Sequence, residues 1–108
     1  MIILHIIRND DWNEFNLLYG REYLNRIGYI PCCTIDTIKY VLDYYQLRYP
    51  INQLSIIKIE TIKIDCEIKW EEWNDSGNFY PHVYGFINRR AIVGVCKANE
   101  WNEVMGYE

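Results

Sequence analysis

The sequence predicts an α+β fold in which helices come early in the chain and strands cluster late. Apolar residues recur at helical spacing in residues 9–20 and 35–45. Runs with partial alternation of apolar and polar residues, typical of strands, occupy 54–60, 66–72 and 91–97. Because helices and strands do not alternate regularly, we expect a mixed or antiparallel sheet with two early helices packed on it, rather than a parallel α/β sheet.

The start of the chain predicts one buried strand and the first helix. "IILHII", residues 2–7, is apolar apart from one histidine and is typical of a buried strand. Residues 9–20 begin with acidic residues suited to an N-cap, carry apolar residues on one helical face, and end at Gly20. "REYLNRIGYI", residues 21–30, is polar and predicts irregular structure with a short strand at its end.

A second helix is predicted over residues 35–45. Thr34 is its expected N-cap, and Pro50 lies beyond its end. The residues expected to face the core are Ile35, Ile38, Val41 or Leu42, and Tyr45.

The second half of the chain is dominated by strand signals. Strands are expected at 54–60, 66–72 and 91–97, with a turn at 74–78 and a loose or short helical tail at 99–108. "FYPHVYG", residues 79–85, interrupts this pattern with a proline, which cannot donate to a β-ladder. We therefore expect this segment to form a sheet edge, a bulge or the wall of a cleft.

Composition limits the classes of function. The chain has 108 residues and is expected to form a single domain over 1–108. Its net charge of −4 argues against a DNA or RNA partner, although one local arginine or a helix N-terminus would suffice for a small anionic ligand. No membrane span or secretory signal is evident.

The four cysteines predict neither disulfides nor a metal site. None forms a C-x-x-C pair. Cys32 and Cys33 are adjacent, which is a poor geometry for a disulfide and for a shared metal ion. The pair precedes a predicted helix, where a thiol pKa would be lowered, but no histidine is near in sequence. Buried small hydrophobic residues in a reduced, cytoplasmic protein are the preferred interpretation.

The two histidines are the first candidate functional residues. His5 shares a strand face with Ile3 and Ile7, so it is either a core histidine satisfied by a hydrogen bond or a functional group. His82 follows Pro81. At this place a ring that faces a ligand and a ring with a purely structural role are equally reasonable.

Charged and aromatic residues near the strand ends supply further candidates. Glu71, beside Trp70, is either a solvated strand end or a carboxylate at the mouth of a cleft, with the indole as a stacking surface. Arg89 and Arg90 would grip a phosphate or simply be exposed. No glycine-rich phosphate loop, zinc motif or nucleophile elbow is present.

The elements "LHII", "GYIPCCT", "IIKIE", "IKWE", "FYPHVYG" and "AIVGV" resemble, in this order, the family called domain of unknown function 952. The fold of that family looks like the ADP-ribosyltransferase type, a split sheet whose cleft holds NAD in related enzymes. The resemblance implies that His82 and Tyr84 line the cleft with His5, which would hold the ribose next to nicotinamide. Glu71 is the nearest match to the glutamate that assists transfer.

These considerations define a candidate site. The catalytic candidates are His5, His82 and Glu71. The expected ligand-binding residues are His5, Thr34, Trp70, Glu71, Tyr80, His82, Tyr84 and Arg89.

The chain departs from the family pattern in ways that affect catalysis. Pro31 stands where histidine is usual, Cys33 where serine is usual, and Lys69 where arginine is usual. Proline can transfer no proton, and a general acid or base contributes roughly 10²–10⁴ in rate. Binding would survive, because stacking on aromatic rings contributes on the order of 1–3 kcal/mol per base.

Three functions follow as hypotheses. The favoured one is capture of a nucleotide-type ligand, such as ADP-ribose, an NAD-like molecule or a cyclic-nucleotide signal, without efficient turnover. Sequestration of a signal in a conflict between phage and host would suit such a protein. The alternatives are an NAD-dependent ADP-ribosyl or phospho-ribose transferase or glycohydrolase, and an interaction module, which a symmetric homo-oligomer burying the cleft would favour.

Overall fold

The computed structural model describes residues 1–13, 17–73 and 76–101. Within them, eight strands and two α-helices follow one another along the chain. They are β1 (Ile2–Arg8), β2 (Leu18–Tyr19), α1 (Arg21–Ile27), β3 (Ile30–Pro31), α2 (Ile38–Gln46), β4 (Leu54–Glu60), β5 (Ile68–Glu72), β6 (Phe79–Val83), β7 (Ile87–Asn88) and β8 (Ile92–Lys97). None of the described helices combines the length and apolar character that a membrane span requires.

The strands form two three-stranded antiparallel sheets and one short ribbon. The first sheet has the order β1-β4-β8, the second β3-β6-β5, and β2 pairs with β7. One bridge joins the two sheets: Leu4 and Cys33 exchange backbone hydrogen bonds of 2.8 and 2.7 Å. The α+β class predicted from the sequence is confirmed.

Strand β1 lies between two apolar clusters, which explains why its sequence is apolar on both faces. Leu4 and Ile6 belong to a cluster that includes Ile38 and Leu42 of α2. Ile3, on the alternate face with Ile7, belongs to a second cluster. The predicted orientation of Ile38 and Leu42 toward the core is therefore confirmed.

The predicted first helix is wrong over the residues that the structure describes. Asn9–Asp11 form one 3₁₀ turn, and Trp12 is already extended. Leu18–Tyr19 pair with β7 instead of closing a helix. Gly20 begins α1 rather than ending the earlier helix, because its φ of 118° turns the chain directly from β2 into Arg21. The remaining predicted helical residues, 14–16, lie outside the described residues.

Helix α1 was missed because it lacks an apolar stripe. The segment 21–30 was expected to be irregular, yet residues 21–27 are helical and none of them is buried. A helix that packs through half-buried tyrosine and leucine side chains gives little periodic signal. The short strand expected at the end of this segment is present as β3.

Helix α2 begins three residues later than predicted. Thr34 does not cap it; the backbone N–H of Thr34 donates to Oγ1 of Thr37 at 3.0 Å, within a turn that precedes the helix. Ile35 lies in this turn and is 44% exposed, so its predicted core position is wrong.

The late strands agree with the sequence pattern except in the position of β6. Strand β4 has the predicted bounds, while β5 and β8 begin at Ile68 and Ile92, slightly later than expected. Strand β6 lies in the middle of its sheet, so an edge position for Pro81 is wrong. The carbonyl of Pro81 accepts a hydrogen bond from Cys32 N–H at 3.1 Å, on the β3 side. Because N and O of one residue point to the same neighbour in an antiparallel pair, the missing N–H also faces β3, and the ladder to β5 is unaffected.

The predicted turn at 74–78 is only partly described. The carbonyl of Trp73 accepts from Ser76 N–H at 3.2 Å, and Gly77 has a φ of 78°. Asn74 and Asp75 lie outside the described residues. The same holds for 102–108 of the predicted tail, whose described part is a 3₁₀ turn at Ala98–Glu100.

Gly20→Ala is expected to destabilise the protein by about 3 kcal/mol, because it combines an unfavourable positive φ with overpacking. A Cβ at this position would overlap with Cδ1 and Cγ1 of Ile30, whose side chain is fully buried in the core. Gly28→Ala is the matched control: its φ is also positive, at 87°, but nothing lies within 4 Å of the added Cβ. In urea unfolding, the free energy of unfolding of the control should fall by only about 1 kcal/mol. Equal losses would show that the contact with Ile30 is unimportant.

Candidate functional site

His82, Glu71 and Tyr84 form a hydrogen-bonded cluster on one face of the second sheet. The register of β5 and β6 pairs Glu71 with Tyr80 and Lys69 with His82, so these side chains share that face. Oε1 of Glu71 accepts from the Tyr84 hydroxyl at 2.6 Å and from Nδ1 of His82 at 2.9 Å. These two bonds, together with nearby charge, lower the pKa of Glu71, and the bond to the carboxylate raises the pKa of Tyr84 to about 12.

The imidazole of His82 is further held by a stacked ring. Tyr29 lies over it with ring centroids 4.1 Å apart and an interplanar angle of 15°. Gly28, in the left-handed conformation at the end of α1, directs the chain toward Tyr29. The ammonium of Lys69 lies 4.7 Å from the centroid of the Tyr84 ring. His82 is thus fixed in position, and its bond to Glu71 leaves Nε2 on the opposite edge of the ring.

A pocket of about 200 Å³ opens beside this cluster. It lies between α1, α2 and the junction of the two sheets, and His82 is part of its wall. Six aromatic side chains contribute to its wall: Tyr23, Tyr29, Tyr44, Tyr45, Trp73 and Tyr80. Arg26 of α1 is exposed at the rim, with its guanidinium 5.1 Å from the centroid of the Tyr23 ring.

His5 lies behind the pocket wall rather than in it. Its ring is fully buried, Nδ1 donates to the carbonyl of Pro31 at 2.7 Å, and Nε2 lies 2.7 Å from the Tyr19 hydroxyl. Because a carbonyl only accepts, the proton of the neutral ring is on Nδ1, and Nε2 accepts from Tyr19. Burial lowers the pKa of His5 to about 4, with the bond to Pro31 opposing this shift. Both ring nitrogens are therefore used within the protein, as expected of a core histidine.

Two tyrosine hydroxyls connect His5 to the pocket. The ring of Tyr23 meets that of His5 edge-on at 5.1 Å, and the hydroxyls of Tyr23 and Tyr45 are hydrogen bonded to each other. Burial raises the pKa of both tyrosines, so both are neutral at physiological pH. They give an otherwise apolar pocket a polar inner surface.

The remaining residues expected at the site lie elsewhere. Trp70 alternates with Glu71 along β5 and therefore projects from the opposite face. Thr34 is engaged with Thr37 in the turn before α2. Arg89 lies beside Trp12, 5.6 Å from its ring centroid, in a separate open pocket of about 240 Å³. Only His82 and Tyr80, of the residues expected to bind ligand, line the aromatic pocket, with Glu71 and Tyr84 supporting His82.

Sequence reasoning missed most of the pocket wall. Tyr23 and Arg26 belong to α1, which was not predicted, and their i, i+3 spacing is visible only once that helix is known. Tyr44 and Tyr45 of α2 both reach the pocket, although only Tyr45 was placed toward the interior. The excess of tyrosine in the composition was the available signal.

The adjacent cysteines are buried, as predicted. Cys32 and Cys33 are 6% and 1% exposed and contribute to the pocket wall. Burial raises the pKa of Cys32 well above its ordinary value and that of Cys33 to about 12, so both are thiols rather than thiolate nucleophiles. Among the described residues, no three His, Cys, Asp or Glu side chains are placed to hold a metal ion.

Comparison with known proteins places this geometry in a family. The model of the family described as "Protein of unknown function (DUF952)" matches residues 6–95. The chain belongs to this family.

The search of curated proteins found no match to this chain. Among solved structures, the chain is similar to the crystal structure of protein CC0527 from Caulobacter crescentus, with 14% identity and a TM-score of 0.67. The match covers 89% of this chain and 84% of that protein. A double methionine mutant of the same protein matches with a TM-score of 0.66. At this identity the likeness shows the fold of the DUF952 chain and not its activity.

His5 should make stability depend on pH between about 4 and 6.5. In this window the unfolded chain binds a proton at His5 and the folded chain does not, so stability falls as pH falls. The full effect of the shift is about 3 kcal/mol. Urea unfolding at pH 7 and pH 4 should therefore show a smaller loss in His5→Gln than in the native chain. Identical losses would contradict a neutral His5.

Both histidines should carry their proton on Nδ1 at pH 8. The acceptors that fix this tautomer are the Pro31 carbonyl for His5 and the Glu71 carboxylate for His82. The chain has only two histidines, so long-range ¹H–¹⁵N spectra can resolve each ring. In Glu71→Ala the ¹⁵N signals of His82 should move toward an averaged tautomer pattern, while those of His5 serve as the unchanged internal control. Unchanged His82 signals would show that Glu71 does not orient the ring.

Proposed function

We propose that the protein binds a nucleotide-type ligand in the aromatic pocket without efficiently transforming it. The observation that carries this proposal is a pocket walled by aromatic rings with His82 fixed in place by Glu71 and Tyr84. Ligand sites in proteins commonly combine an apolar, aromatic lining with a few positioned polar groups. A heteroaromatic base offers a flat face to such rings and edge atoms to such groups.

An ADP-ribosyltransferase-type fold is part of this proposal. It is supported by two antiparallel sheets that meet at one bridge, between Leu4 and Cys33, with the pocket beside the junction. In that fold type the cleft between the halves of the split sheet holds NAD. The proposal also retains an ADP-ribose or cyclic-nucleotide signal as ligand, and sequestration in the cytoplasm as the setting.

The absence of efficient turnover is inferred from the chemistry of the groups around the pocket. His5 uses both ring nitrogens inside the protein and has a pKa near 4, so it is a poor partner for ribose hydroxyls. Pro31 supplies the pocket wall with a ring that transfers no proton. The thiols of Cys32 and Cys33 are protonated. His82 is the remaining acid–base group in the wall.

An enzyme that cleaves NAD or a phosphorylated ribose is the second candidate. It is favoured by the hydrogen bond between Glu71 and His82, since a carboxylate that holds Nδ1 leaves Nε2 oriented as a general base. Such a base would activate water or an acceptor hydroxyl for attack on the ribose carbon, with nicotinamide leaving. Incubation with NAD followed by chromatography distinguishes the candidates: nicotinamide release that disappears in His82→Ala would establish the enzyme.

Calorimetric titration with NAD, ADP-ribose and 3′,5′-cyclic mononucleotides should detect binding of at least one ligand. Tyr44→Ala should weaken this binding about tenfold or more, because stacking contributes on the order of 1–3 kcal/mol per base. Tyr40→Ala is the matched control, since Tyr40 lies on the same helix and is 65% exposed but does not line the pocket.

Two results would contradict the proposal. One is the absence of binding to every ligand in the panel by a protein whose thermal unfolding is cooperative. The other is equal loss of affinity in Tyr40→Ala and Tyr44→Ala, which would place the ligand elsewhere on the molecule.

A further inference from the structure

Arg26 gives the aromatic pocket a charge pattern that is unusual for this acidic chain. Of the described residues that line it, none is aspartate, glutamate or lysine, and Arg26 alone carries a permanent charge. The whole chain, by contrast, has a net charge of −4. We propose that Arg26 binds the phosphate of a single nucleotide whose base lies inside the pocket. This inference rests on the proposed nucleotide function and narrows its ligand to one nucleotide unit rather than a dinucleotide.

The position of the guanidinium suits an anion at the rim. It lies over the Tyr23 ring, with Cζ 5.1 Å from the centroid, and this contact holds it beside the pocket. The planar guanidinium keeps donors along its edge when its face is stacked, and this edge matches two oxygens of a phosphate. Arg26 is exposed, so it can reach a phosphate that remains partly solvated.

Glu71 opposes an anion at the inner end of the pocket, beside His82, and Tyr23 and Tyr45 add no positive charge there. The lowered pKa of Glu71 keeps it ionised at neutral pH, directly behind His82. Tyr23 and Tyr45 are neutral because burial raises the pKa of each. The inner end therefore favours a neutral base, whereas the rim at Arg26 favours the phosphate.

The size of the pocket limits how much of a ligand it encloses. Pockets for whole drug-sized ligands occupy roughly 300–1,000 Å³. At about 200 Å³, this pocket holds one ring system with part of its sugar. The second nucleotide of NAD, or the distal ribose of ADP-ribose, would lie outside the pocket and would add little to the affinity.

Calorimetry on matched nucleoside and nucleotide pairs tests the inference. The panel comprises adenosine, guanosine, cytidine, uridine and nicotinamide riboside, their 5′-monophosphates, the 3′,5′-cyclic monophosphates, ADP-ribose and NAD. For the preferred base, the monophosphate or cyclic monophosphate should bind about tenfold to a hundredfold more tightly than the nucleoside. A difference of this size corresponds to one charge-assisted hydrogen bond. ADP-ribose and NAD should bind no more tightly than the matching mononucleotide.

Substitution of Arg26 separates the phosphate contact from the base contact. Arg26→Gln should lower nucleotide affinity to that of the nucleoside and leave nucleoside affinity unchanged, while Arg26→Lys should retain part of the difference. Arg90→Gln is the matched control, because Arg90 is also exposed but lies 3.7 Å from Asp65 and does not line the pocket. Raising the salt concentration should narrow the difference between nucleotide and nucleoside, since an exposed charge is screened.

Each remaining outcome decides between the inference and the function on which it rests. Nucleotide binding that is unaffected by Arg26→Gln, or binding of NAD at least tenfold tighter than of any mononucleotide, overturns the inference and leaves the proposed function intact. Equal affinity for nucleoside and nucleotide also overturns the inference and leaves the proposed function intact. Binding of no compound in the panel overturns both.

Discussion

The junction between β1 and the segment Pro31–Cys33 determines where a site can form in this protein. Leu4 and Cys33 exchange two backbone hydrogen bonds, and the buried ring of His5 donates to the Pro31 carbonyl at 2.7 Å. Pro31 in turn pairs with His82 across β3 and β6. One short segment thus fixes the two sheets against each other and sets the position of His82. A polar ring is retained in an apolar strand because an apolar side chain would leave that carbonyl without its partner.

The two histidines of the chain have acquired opposite roles through their surroundings. His5 is enclosed, and burial favours the neutral form of its ring. His82 is also mostly buried, but it faces the pocket and donates to a carboxylate that is partly exposed. A carboxylate partner orients an imidazole through a charge-assisted hydrogen bond, which is stronger than the bond to a backbone carbonyl. The chemical capacity of the site therefore resides in His82, and His5 contributes to stability and to the fixed geometry of the junction.

The sequence predicted the fold class, strand β4 and the core face of α2, because these depend on local periodicity and burial. It failed at residues 9–13 and 17–27. Apolar spacing suggested a helix before Gly20 that the described residues do not form, and the polar character of residues 21–27 concealed helix α1. The position of Gly20 explains the error: with its positive φ it precedes helix α1, whereas the sequence pattern suggested that it ends an earlier helix. His82 and Tyr80, two of the residues expected to bind a ligand, line the pocket. Arg26 and Tyr44 were not identified, because their meeting with β6 depends on the packing of two helices across a sheet junction, which no local pattern encodes.

The proposed capture of a ligand and the proposed lack of turnover rest on the same features of the pocket. Catalysis requires groups whose interactions strengthen as charge develops in the transition state. Tyr23 and Tyr45 are neutral, the thiols of Cys32 and Cys33 are protonated, and His5 is sequestered behind the wall. These groups would bind the ground state and the transition state of a ligand equally well. Uniform binding of this kind gives affinity without rate. The pairing of Glu71 with His82 is the exception, and its importance depends on whether a reactive atom of the ligand lies at Nε2. If the phosphate is held at Arg26 and the base fills the interior, the edge of the base faces His82, and the contact there is one of recognition.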